Sequence, residues 1–171
     1  MKIKVDFVTN SSSSSFVVAF PKKVKTLEDV QAYIPHKYAE TVYKDTKRQK
    51  ALRKTSLNVK AKIAKEITYG YVDDLRFTEG YDADKKFFKR EGAEGHRYEY
   101  PQWREIFWDE RRLNQVSFAN IIAKEFLEKI SDESYIYIFN YGDEDGEYFS
   151  EMEHNNIFRS LESIHISKHY N

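Results

Sequence analysis

The chain of 171 residues carries 28 Lys and Arg against 28 Asp and Glu, so its formal net charge at neutral pH is zero. Hydrophobic residues make up 40% and aromatic residues 16%, which excludes an intrinsically disordered chain and leaves enough apolar side chain for a real core. The absence of cysteine excludes disulfides, thiolate metal sites and a cysteine nucleophile. One domain over 1–171 is expected, and a start without a signal-peptide pattern and no apolar run of about 18 residues point to the cytoplasm.

At the N-terminus, Lys2-Ile3-Lys4-Val5-Asp6-Phe7-Val8 alternates polar and apolar residues as a half-buried strand does. Phe16-Val17-Val18-Ala19-Phe20 is a short apolar run ending at Pro21, the pattern of a buried strand. Between them, five consecutive serines read as a loop. Ser11, Ser12, Ser13, Ser14 and Ser15 would offer hydroxyls and unhindered backbone N–H groups to a phosphate; a flexible polar hairpin loop is the alternative. Thr26 caps a short helix that ends by Pro35. A basic helix is expected over 38–53. The stretch 57–67 fits either a strand or a helix, with Lys and Ala favouring the helix.

Four of the six glycines fall between Gly70 and Gly95, where short strands are expected around 71–77 and 97–100. Pro101 suits the start of a helix running to Leu113. Ser117 caps a second helix, with Phe118, Ile122, Phe126 and Ile130 in register. Tyr135-Ile136-Tyr137-Ile138-Phe139 reads as a strand, Asp143–Gly146 as a turn, 147–152 as a returning strand, 157–161 as one helical turn and 164–170 as a closing strand. The predicted fold is α+β: an antiparallel or mixed sheet from both chain ends packed against central helices, which cover one face.

The neutral total hides segregated charge. Between Lys44 and Lys65 nine basic residues face one acid, Asp45; between Asp143 and Glu153 there are six acids and no base. The basic block, with Lys47, Arg48, Lys50, Arg53 and Lys54 as candidate partner-binding residues, suits an acidic protein surface or nucleic-acid phosphates. A solvated helix face is the plainer reading. Thin aromatic interleaving and zero net charge favour a protein partner over nucleic acid. No membrane partner is expected.

Three of the five histidines lie in the last 18 residues. His165 and His169 would share a strand face about 13 Å apart, too far for one Zn²⁺. No metal and no cofactor are expected. His165-Ile166-Ser167 resembles half of the motif of two-histidine phosphoesterases, but the second copy they need is missing. His154, His165 and Ser167 remain the candidate acid–base groups. Asp143–Gly146 fails the EF-hand spacing, and no Walker-A, dinucleotide-binding or Gly-x-Ser-x-Gly pattern occurs.

The string Asp6-Phe7-Val8-Thr9-Asn10-Ser11-Ser12-Ser13-Ser14-Ser15-Phe16 resembles the N-terminal signature of small proteins from Firmicutes and their phages or mobile elements. Met152-Glu153-His154-Asn155-Asn156-Ile157-Phe158 and Ile164-His165-Ile166-Ser167-Lys168-His169 are similar to a C-terminal pattern in that group. The resemblance implies a host range, and its pairing of the two ends implies that they meet in the fold. The expected function is a non-enzymatic binding protein, such as an accessory or counter-defence factor of a mobile element. The alternative is a phosphate- or nucleotide-binding protein, or a phosphoesterase-like enzyme, using the serines and C-terminal histidines.

Overall fold

A strand with large apolar side chains on both faces must be covered on both, and two strands of this chain have that character. In the computed structural model, which describes residues 12–68, 71–72, 119–142 and 146–169, they are β1 (Ser12–Phe20) and β4 (Tyr135–Gly142). The other elements are α1 (Leu27–Gln31), α2 (His36–Arg48), β2 (Leu52–Arg53), α3 (Val59–Thr68), β3 (Tyr71–Val72), α4 (119–129), α5 (Glu147–His154) and β5 (Glu162–His169). The sheet has the order β2-β4-β1-β5-β3, with every neighbouring pair antiparallel. The class is α+β, and strands from both ends of the chain lie side by side.

Alternation along β1 divides the core. Phe16, Val18 and Phe20 join Tyr137, Phe139, Tyr141, Met152 and Phe158 beneath α1, α2 and α5. Val17 and Ala19 join Ile136, Ile164 and Ile166 beneath α3 and α4. Helices therefore cover both faces, correcting the expectation of one covered face. No helix among the described residues is long and apolar enough to cross a membrane.

Local chemistry explains several elements. The Thr26 side chain accepts from Asp29 N–H while the Asp29 carboxylate accepts from Thr26 N–H, a capping box that starts α1 as expected. Helix α2 stops at Arg48 rather than continuing to 53. Gln49 is extended, and its side chain accepts the Ile138 N–H at 2.8 Å, tying the chain to β4. Leu52 and Arg53 then pair with Ile136 and Tyr135. The ambiguous 57–67 stretch is helical in α3, whose Ile63, Ala64 and Ile67 face the core. The returning strand expected at 147–152 is instead helix α5. Tyr148, Phe149 and Met152, at helical spacing, turn toward the aromatic core, which a strand over the same residues would split between two faces. The expected segments at 2–8, 97–100 and 101–113 lie outside the described residues.

Tyr141 donates to Asp45 Oδ2 at 3.1 Å across the α2–β4 contact. Burial raises the Asp45 carboxyl above its usual range, against the opposing pull of the Tyr141 hydroxyl and Arg48. Burial also raises the Tyr141 phenol, and the Asp45 charge adds to that. A carboxyl raised on folding favours the native state below its unfolded pKa, and this contribution disappears as pH climbs through the folded value. Asp45→Asn keeps an acceptor for Tyr141 but cannot ionise. Its melting temperature relative to wild type should rise as pH climbs above the ordinary carboxylate range, where the wild-type contribution is lost. A difference independent of pH would show that Asp45 ionises in the folded protein at no disadvantage.

Candidate functional site

The serine run is strand, not loop, from Ser12 onward. Strand β1 is central, with Ser13, Ser14 and Ser15 opposite Gly142, Tyr141 and Asn140 on one side and Lys168, Ser167 and Ile166 on the other. Their backbone is committed to two ladders, so the loop of open N–H groups expected to hold a phosphate is not formed by Ser12–Ser15. Ser11 lies outside the described residues. Pairing on both sides outweighs the turn preference of serine, and its small side chain fits beneath the helices.

The buried hydroxyls find partners on opposite faces. Ser14, 2% exposed, donates from Oγ to Glu153 Oε1 at 3.2 Å and lies 2.8 Å from His165 Nε2. Its one proton goes to the carboxylate, so His165 must present Nε2–H to Ser14. The His165 ring is also stacked on Phe16, with centroids 4.6 Å apart. Glu153 is 3% exposed; its Oε2 makes no hydrogen bond among the described residues, and His154 Nε2 lies 3.8 Å away. Ser15 Oγ is 2.5 Å from Glu66 Oε1 and also meets Asn140.

The two sequence patterns at the chain ends thus meet: Ser14 touches His165 and Glu153, and His154 sits beside Glu153. Ser167 is the cross-strand partner of Ser14 and His169 that of Ser12. The order of hydrogen bonds runs from His165 to Ser14 to Glu153. An activated serine would instead place the histidine between hydroxyl and carboxylate, with the imidazole accepting the hydroxyl proton. No group of three or more His, Asp or Glu among the described residues could hold a metal ion.

A second site lies at the other end of β4. A groove of about 850 Å³ opens where the C-terminus of α2, the edge strand β2 and the start of α3 surround Tyr135 and Tyr137. Lys23, Lys47, Lys50, Arg53 and Lys62 line it, and among the described residues no Asp or Glu does. Of the five candidate partner-binding residues, Lys47, Lys50 and Arg53 belong to this lining. Arg48 is turned to Asp45 at 3.5 Å, and Lys54 is held by Asp132 at 2.7 Å and the Ile130 carbonyl at 2.8 Å, so both make contacts within the fold. Lys47 donates to the Lys25 carbonyl at 2.9 Å and lies over the Tyr43 ring. No carboxylate among the described residues pairs with Lys23, Lys50 or Lys62.

Sequence reasoning missed Lys23, which precedes the basic block by 21 residues (44 − 23) and reaches the groove only through the turn after β1. It also gave no signal for Leu57, a fully exposed leucine in the groove wall. No protein-family model matches this chain, and no curated protein or solved structure compared with it does either.

Proposed function

We propose that this is a non-enzymatic binding protein whose groove receives an acidic partner, acting in the cytoplasm as an accessory or counter-defence factor of a phage or mobile element. One observation carries the binding reading: five cations from four parts of the chain converge on one cavity that no Asp or Glu of the described residues lines. The volume lies within the usual range for ligand sites. Lys and Arg also guard sheet edges against unwanted pairing, and β2 is an edge strand. A guard would sit on the strand itself, whereas only Arg53 does so here; the other four reach in from flanking segments. The origin in a mobile element rests on the resemblance of the two chain ends alone.

The test is direct titration with three labelled polyanions: a poly-glutamate peptide, inorganic tripolyphosphate and single-stranded oligouridylate. At least one should bind, with affinity falling as salt rises. The exposed quadruple substitution Lys23→Glu, Lys50→Glu, Arg53→Glu and Lys62→Glu should weaken that binding by a factor of roughly 30. The figure takes about 0.5 kcal/mol for each of four exposed pairs. The melting temperature should be nearly unchanged, since none of the four side chains is buried. Failure of all three probes to bind at low salt would refute the groove as a binding site.

A further inference from the structure

We infer that the occupant of the groove is an acidic polypeptide segment that also carries an apolar side chain, with Leu57 as the contact for that side chain. The inference rests on the groove being a binding site, as proposed above, and goes further by naming the class of ligand. Three observations select a polypeptide.

The first is charge. Lys23, Lys50, Arg53 and Lys62 are exposed, and no carboxylate of the described residues opposes them in the lining, which suits a ligand with several negative charges. Either carboxylates or phosphates would answer.

The second concerns the aromatic rings. Single-stranded nucleic acid gains much of its affinity by stacking bases on open aromatic faces. Among the described residues two tyrosines line the groove, and neither offers a fully open face. Tyr137 is buried in the core, and its hydroxyl accepts the Val24 N–H at 3.0 Å. Arg53 lies over the Tyr135 ring, 6.0 Å from its centroid. Among the described residues a nucleotide strand would find cations here but no open aromatic platform.

The third is Leu57. It stands in the turn between β2 and α3, wholly exposed, among the residues that line the groove. Among the described residues the only other exposed large apolar side chain is Ile121, on α4, at 52% against 101% for Leu57. Outside its bases a nucleotide strand has little apolar surface to set against a leucine, whereas a polypeptide with acidic and aliphatic residues presents both chemistries side by side. Burying such a side chain at an interface removes apolar area from water, while the surrounding lysines bind the carboxylates.

The experiment compares a labelled peptide alternating Glu and Leu with poly-glutamate of equal length and with oligouridylate, using wild type, Leu57→Ser and the quadruple Glu variant. The Glu/Leu peptide should bind wild type about tenfold tighter than poly-glutamate. Leu57→Ser should remove that advantage while leaving poly-glutamate affinity unchanged and the melting temperature unaffected, because the Leu57 side chain is wholly exposed among the described residues. The quadruple variant should weaken binding of both peptides by roughly 30-fold. Equal binding of the two peptides, an unaltered advantage in Leu57→Ser, or tighter binding of oligouridylate at physiological salt would each overturn the polypeptide assignment while leaving an anion site standing. If none of the probes binds, the groove reading fails and this inference fails with it.

Discussion

Phe16→Ala should destabilise the protein by about 3–5 kcal/mol, a large share of the stability of a domain this size. Phe16 is 1% exposed on the central strand and ties together three parts of the chain. Its ring packs against Phe158 at 5.2 Å between centroids, against Tyr141 at 6.1 Å, and stacks on His165. Truncation removes buried area and leaves a cavity among rings that are themselves held by Phe139, so they cannot collapse to fill it. Urea denaturation measures the effect. A loss below about 1 kcal/mol would mean that β1 does not occupy the centre of the sheet.

The second large effect is expected at Ser14. Removing its hydroxyl takes away the one hydrogen bond of the buried Glu153 carboxylate, because Oε2 has none among the described residues. A buried polar group left unsatisfied costs about 1–3 kcal/mol, and more when charged, so Ser14→Ala should cost about 3 kcal/mol. Much of that loss comes from stranding the carboxylate rather than from losing the bond itself. Glu153→Met removes the stranded group and fills similar volume, so Ser14→Ala with Glu153→Met should be more stable than Ser14→Ala alone. A double-mutant cycle by chemical denaturation reads the coupling, expected at about 1–2 kcal/mol. Additive effects would show that Ser14 and Glu153 do not depend on each other in the folded protein.

The serine cluster and the groove differ in how they could be found. The meeting of the chain ends was visible as two distinctive strings, Thr9–Phe16 and Met152–His169, but not the manner of their meeting. Serine favours turns when it is considered locally, and the strand over Ser12–Ser15 exists because β4 and β5 pair with both of its edges. Within the groove, Lys47, Lys50 and Arg53 were legible as a run of charge. The neighbouring Arg48 and Lys54 carry the same charge in the same run, yet contacts with Asp45, Asp132 and the Ile130 carbonyl turn them to other work. Lys23 and Leu57 had no local signature at all.

Elements whose cause is local were determined by the sequence itself. The capping box of Thr26 and Asp29 starts α1, the aromatic and β-branched run from Tyr135 makes β4, and the spacing of Ile122 and Phe126 makes α4. Their signals lie within one or two turns of chain, where hydrogen bonding and side-chain period act directly. Only the tertiary structure decided that helices cover both faces of the sheet, that 147–154 is helix, that α2 ends at Arg48, and which cations share a groove. Each of these depends on residues brought together from far along the chain: Gln49 bonded to Ile138, Ser14 to Glu153, and Lys23 and Lys62 lining one groove. Such pairings form only when the apolar faces of β1 and β4 are buried together. The free energy of that burial outweighs the local preferences of the serines and of the residues that follow Arg48.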